Sequence, residues 1–272
     1  ETTPSAMDDP SISSSRRPRA VMTAWVSLML GCGLWTTPRL HGAEGLTVVT
    51  WGDLNWGWSP GAWKRWRGEV VAREATAIAL GYFHGLALHR DGTVTSWGAD
   101  FSGQAKVPWG LTGVTAIAAT MQQSLALKAD GTLVAWGGIH APPDRAKTGI
   151  KAIAGGTDVA IALRTDGTVV AWGPYIAPAP EGLSNVVEVV AGAQHVAALK
   201  EDGTVVAWGT EPASAGPAPP GLNGVVKIFS GDQSLFALRA DGRLVAWGSP
   251  SDYSHRVPPD LTEVVSVTAT SS

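Results

Sequence analysis

Thiols are almost missing from this chain. Cys32 is its single cysteine in 272 residues, and it lies inside an N-terminal apolar stretch. Everything beyond it is without disulfides, thiolate nucleophiles and cysteine-held metals. Charge is scarce too, at 16% of residues, and it forms no run of one sign. Residues 1–43 hold four of the 20 basic and three of the 23 acidic residues, so the remainder carries 16 against 20. A slightly acidic chain without a basic stripe is not built to neutralise phosphates, so no nucleic acid partner is expected. Helical periodicity is absent from the main part of the chain. No nucleophile motif, paired carboxylates or phosphate loop occurs, and no catalytic, cofactor or metal residue can be nominated. Tyr (3) and Phe (4) are few, while Trp reaches 13, an inversion that position must explain.

What is plentiful is apolar matter and turns: 44% hydrophobic residues, with 33 Gly and 18 Pro. The front of the chain has its own logic. Arg16, Arg17 and Arg19 precede Ala20–Trp35, an uncharged and mostly apolar stretch. A basic segment followed by a short apolar one is the pattern of a secretory signal peptide. We therefore read residues 1–43 as a leader, with Met7 as a plausible start and Cys32 as a candidate lipid-attachment site. An uncleaved N-terminal anchor is the alternative, since a span needs about 20 apolar residues. The expected location is secreted, periplasmic or on the cell surface.

Residues 44–272 are organised by repetition. Asp91–Gly98 (DGTVTSWG) returns as Asp130–Gly137, Asp166–Gly173, Asp202–Gly209 and Asp241–Gly248. Each copy follows a second shared block, such as Ile78–Arg90 (IALGYFHGLALHR) or Val189–Glu201 (VVAGAQHVAALKE). Five repeats are complete. A half copy stands before them at Leu46–Gly52 and another after them at Val264–Val267.

Within a repeat, Leu86-Ala87-Leu88 and Val94–Trp97 flank Asp91-Gly92, a hairpin signal. The expected turn is type I′, with positive φ at both central residues. Pro-rich links such as Val107-Pro108-Trp109-Gly110 and Pro219-Pro220-Gly221 separate the repeats, because Pro lacks a ladder donor. Three or four short strands every 36–46 residues match the blade of a β-propeller. Burial on both faces explains strands that are apolar throughout. One Trp per repeat would fill the space between diverging sheets, and Ala-rich and Gly-rich first strands suit a crowded axis. A β-arch solenoid is the rival architecture.

These residues resemble the repeat of the regulator of chromosome condensation superfamily, all of it β-propellers. They are closer still to the compact bacterial version typified by the secreted beta-lactamase-inhibitory protein II. The resemblance covers about residues 45–270. It implies an all-β propeller, of six or seven blades if complete, and the last half copy suggests truncation at the C-terminus. It implies no single function, since such propellers host exchange factors, inhibitors and many binding roles.

In the inhibitory type, aromatic residues in loops on one rim form the protein-binding face. Tyr82 and Phe83 stand in such a loop here, but the corresponding pairs are Met121-Gln122, Thr157-Asp158, Ala193-Gln194 and Asp232-Gln233. β-Lactamase inhibition is therefore not expected. Trp56, Trp58, Trp63 and Trp66, with Lys64, Arg65 and Arg67, lie in the longest insertion, read as a loop that binds a glycan or acidic partner or caps the first blade. Phe101 and Tyr175 follow the Trp-Gly of their repeats and complete the candidates. The position seven residues before each Asp-Gly holds His84, Gln123, Val159, His195 and Ser234, read as loop-end residues bonding to neighbouring backbone. The repeated aspartates read as turn residues, because calcium loops need further carboxylates at fixed spacing.

The expected function is an exported, non-enzymatic scaffold that binds a macromolecule, a protein first and a glycan second, through its blade-connecting loops. The alternatives are a lyase or hydrolase with a site in the central channel, and a structural module of a larger cell-surface protein.

Overall fold

The computed structural model describes residues 46–53, 65–174, 176–209 and 216–248, with 257, 258, 261, 264 and 267; for 46–53 and 65–73 the backbone alone is described. The leader, Trp56, Trp58, Trp63, Lys64 and Tyr175 lie outside these residues. No helix among the described residues is long and apolar enough to cross a membrane.

The architecture is all-β. The first sheet holds β1 (Leu46–Asp53), β2 (Arg65–Leu80), β3 (His84–His89) and β4 (Val94–Gly98) in that order. Four three-stranded sheets follow: β5 (Val114–Ala119), β6 (Ser124–Lys128) and β7 (Leu133–Trp136); β8 (Ile150–Gly155), β9 (Ala160–Arg164) and β10 (Val169–Trp172); β11 (Val186–Ala191), β12 (His195–Lys200) and β13 (Val205–Gly209); β14 (Val225–Ser230), β15 (Ser234–Arg239) and β16 (Leu244–Gly248). All pairings are antiparallel, and each sheet from β2 onward is one repeat, so we number these five blades in chain order.

First strands of consecutive blades lie beside one another (β2 by β5, then β8, β11 and β14), while third strands stay apart. The first strands therefore line the axis, and their small residues answer to that crowding. A Cβ on Gly155 would run into the backbone of Ala119 on the preceding first strand.

The core is a stack of inter-blade layers. Alternation along the middle strands decides which layer each residue enters: in β6, Leu125 and Leu127 face the third blade while Ala126 faces the first. β9 repeats the scheme, with Ile161 and Leu163 forward and Ala160 and Ala162 back. Large residues meet small ones across each gap, as close packing of sheet on sheet requires. Trp136, Trp172, Trp208 and Trp247 each fill the layer shared with the preceding blade. The tryptophan excess is thus partly structural.

Two sequence expectations change. Gly92, Gly131, Gly167, Gly203 and Gly242 have φ of +77° to +81°, but the aspartate before each has negative φ. Gly92 N–H donates to His89 O and His89 N–H to Thr93 O. The turn is a three-residue loop, type I followed by a left-handed Gly, and not type I′. The Asp carboxylate favours this form by accepting the amide two residues on, as Asp202 does from Thr204 at 3.0 Å.

The early half copy makes no blade of its own: β1 pairs with Arg65–Ala75 of β2, Leu46 opposite Ala75 and Asp53 opposite Arg65. Arg65, Trp66 and Arg67 are accordingly strand residues, not part of a loop, with Trp66 opposite Gly52.

Candidate functional site

The blades present two unlike rims. One carries the Asp-Gly turns, where charges are paired locally: Lys128–Asp130, Arg164–Asp166, Lys200–Asp202 and Arg239–Asp241. The other carries the short loops joining first to second strands, together with the segments leaving each Trp-Gly. Backbone bonds link these short loops from blade to blade. Met121 N–H donates to Thr157 O (2.8 Å), Asp158 N–H to Ala193 O (3.0 Å) and Ala193 N–H to Asp232 O (2.8 Å). Loops tied into such a belt are preorganised, which lowers the ordering cost of binding.

On this loop rim the structure brings together three of the residues singled out by sequence. The Tyr82 and Phe83 rings lie 4.7 Å apart, tilted by 59°, and Phe101 meets Phe83 edge-on at 6.2 Å. Both geometries are favourable for aromatic pairs. Tyr82 and Phe83 are half-buried, whereas Phe101 is 78% exposed. Its loop is self-bonded. Ala99 N–H donates to Phe83 O, Ala105 N–H to Asp100 Oδ1, and Ser102 N–H to Gln104 Oε1. Gln104 is fully buried, and its carbonyl accepts from Ser124 Oγ and Trp136 Nε1. An apolar ring is thereby held in solvent by a loop anchored into the next blade.

The position seven residues before each Asp-Gly does more than bond to backbone. His84 Nε2 meets Ser124 Oγ at 2.8 Å, and His195 Nε2 meets Ser230 Oγ at 3.1 Å, each reaching the following blade. Burial pushes both imidazoles down to a pKa of about 4. Gln123 accepts from Trp172 Nε1 (3.1 Å) and donates to His140 O (2.8 Å). These are inter-blade latches.

Trp109, fully exposed, and Ile139, 86% exposed, were not singled out by sequence. Trp109 lies on the opposite rim, in the turn closed by Leu111 N–H to Pro108 O. Its place in a Pro-Trp-Gly link was the signal available: a turn's second residue points outward. Among the described residues no group of three His, Cys, Asp or Glu is placed to hold a metal ion.

A family model for the Regulator of chromosome condensation (RCC1) repeat matches residues 75–104 and 186–211, the first and fourth blades. Two of the five blades thus match that repeat by sequence. Solved structures carry the same fold. Prp20p from Saccharomyces cerevisiae, studied for its binding to Gsp1p and histones, is 22% identical over 71% of this chain and 64% of its own, with TM-score 0.55. Yeast RCC1 (Prp20) crystallised with Kap60 gives 22%, 72%, 63% and 0.56. The receptor kinase CR4 ectodomain of Physcomitrella patens gives 20%, 63%, 52% and 0.53. The chain thus spans between half and two thirds of these structures. No curated protein sequence matches it. The RCC1-like repeat propeller is the architecture; the finer likeness to the inhibitory type rests on sequence alone.

Proposed function

We propose that this RCC1-repeat propeller is an exported, non-enzymatic scaffold that binds a protein through its loop rim. The carrying observation is the Tyr82–Phe83–Phe101 cluster, in which a 78% exposed phenyl ring is backed by two further rings on a bonded loop. Exposed aromatics on a rigid support are typical of interface hot spots. Protein partners named for yeast Prp20 agree with this use of the fold, and the Arg16–Trp35 leader supports export.

The test is site-specific photocrosslinking in the producing cell from position 101 and, as control, position 109 on the opposite rim. A discrete protein adduct from position 101 is expected, reduced at least about tenfold by Phe83→Ala, as loss of a hot spot would require. Equal yields from both positions, or no adduct from 101, would overturn the reading.

A further inference from the structure

Between the second and third blades, on the loop rim, lies a cleft of about 250 Å³. Its place corresponds to the one that the 99–104 segment fills between the first two blades, where Gln104 is buried. The segment after Trp136 turns away as Gly137-Gly138-Ile139-His140, with both glycines at positive φ, and leaves the gap open.

Met121, Ile139 and Trp172 give the cleft apolar walls, and Gln122, His140 and Asp158 give it polar ones. Gln123 fixes the geometry, holding the Trp172 indole on one side and the His140 carbonyl on the other. Two groups in the lining lack side-chain partners among the described residues. Asp158 is half-buried and makes no ion pair, unlike the turn aspartates of the opposite rim. Thr157 Oγ1 is buried without a hydrogen bond. No Lys or Arg lines the cleft.

We propose that this cleft is a pocket for a cationic side chain, lysine or arginine, of a protein partner. The charge of Asp158 meets the ammonium or guanidinium, while Met121, Ile139 and Trp172 cover the aliphatic stem. Long basic side chains divide themselves in this way between apolar and polar surroundings. A half-buried carboxylate attracts a cation more strongly than an exposed one because water screens it less. The proposal rests on the loop rim being the binding face, and it names what that face recognises.

The test titrates N-acetyl-arginine methylamide and N-acetyl-lysine methylamide into the full chain, with the norleucine amide as an uncharged control of similar stem. Amide shifts of Gln122, Ile139 and Asp158 are followed by NMR. Saturable shifts with a Kd of roughly millimolar order are expected for cationic probes of this size. The norleucine amide and the Asp158→Asn protein should each bind at least tenfold more weakly. Gln122→Lys, which offers an internal cation from an exposed position, should abolish the shifts. Equal binding of the norleucine amide, an unchanged Kd in Asp158→Asn, or no shifts with either cation would overturn the proposal. The titration contains no partner, so it can fail while crosslinking from position 101 succeeds, and the reverse.

Discussion

His84 and His195 occupy equivalent places in the first and fourth blades, and each imidazole sits against a glycine. A Cβ on Gly81 or Gly192 would overlap the ring of His84 or His195 respectively. Where Thr120 stands in place of that glycine, the partner is the flexible Gln123, whose backbone N–H donates to Thr120 Oγ1 at 3.0 Å. The pairing of small residue and ring is therefore set locally. Both histidines have folded pKa values of about 4, below the 6.5 of the free side chain. Between those values the unfolded chain binds more protons than the folded one, so stability is full above pH 6.5 and falls on acidification. The loss between pH 6.5 and 5 should be about 2 kcal/mol per histidine. Urea midpoints measured at pH 7.5 and 5 will show it. His84→Gln with His195→Gln, copying Gln123, should flatten the profile, and an unchanged slope would refute the assignment.

At the scale of the element, the five Asp-Gly turns share one geometry, so one site can stand for all. Gly203 has φ +79° and joins β12 to β13. Alanine there takes on the left-handed penalty of about 1–2 kcal/mol, and Gly203→Ala should lower the denaturation midpoint accordingly. Ala in place of the neighbouring Asp202, which has negative φ, meets no such strain. Asp202→Ala and Asp202→Gly both lose the Thr204 bonds and should have similar midpoints, whereas a type I′ turn, with positive φ at 202, would make the glycine variant more stable by about 1–2 kcal/mol. The first strands carry a second shared device: a register break between Ala75 and Ala77 recurs in every blade, as between Val186 and Glu188. Such bulges bend a strand and turn one residue away from its ladder. Thr115, Lys151, Val187 and Val226 are exposed at these points.

Across the whole molecule, stability resides between blades, and a change at one interface should be felt mainly by its two neighbours. The repeated tryptophans make this testable because their surroundings differ. Trp136 and Trp172 donate to Gln104 O and Gln123 Oε1, whereas Trp208 Nε1 and Trp247 Nε1 are buried without partners among the described residues. Val159, where the second blade has Gln123, offers no acceptor to Trp208. Trp172→Phe should therefore cost about 1–2 kcal/mol more than Trp208→Phe, since only the former leaves a buried acceptor unmatched. Equal losses by calorimetry would show that the indole N–H groups are energetically idle.

Much of this was legible from residue order. Alternation of apolar runs with Asp-Gly and Pro links is a local signal, and repeats of one local signal stack, so a propeller of RCC1-like repeats was the leading expectation over a β-arch solenoid. The role of one tryptophan per blade followed as well. Turn type did not, because Asp-Gly serves two geometries and the choice depends on which strand residues close the loop. The half copy at Leu46–Gly52 is the strand its composition says, but its pairing with Arg65–Ala75 is a long-range decision.

The candidate site was legible only in part. Tyr82, Phe83 and Phe101 were visible as unusual residues, yet their meeting depends on a loop that folds back from the end of β4. Ile139, Asp158 and the cleft between them carry no sequence signature, since a cavity is defined by what neighbouring blades fail to fill. Repetition and local chemistry determined the strands, the turns' positions and the layered core. Tertiary structure alone decided which loops share a rim, which charges stay unpaired and where the gap opens, because those are properties of surfaces brought together from separate blades.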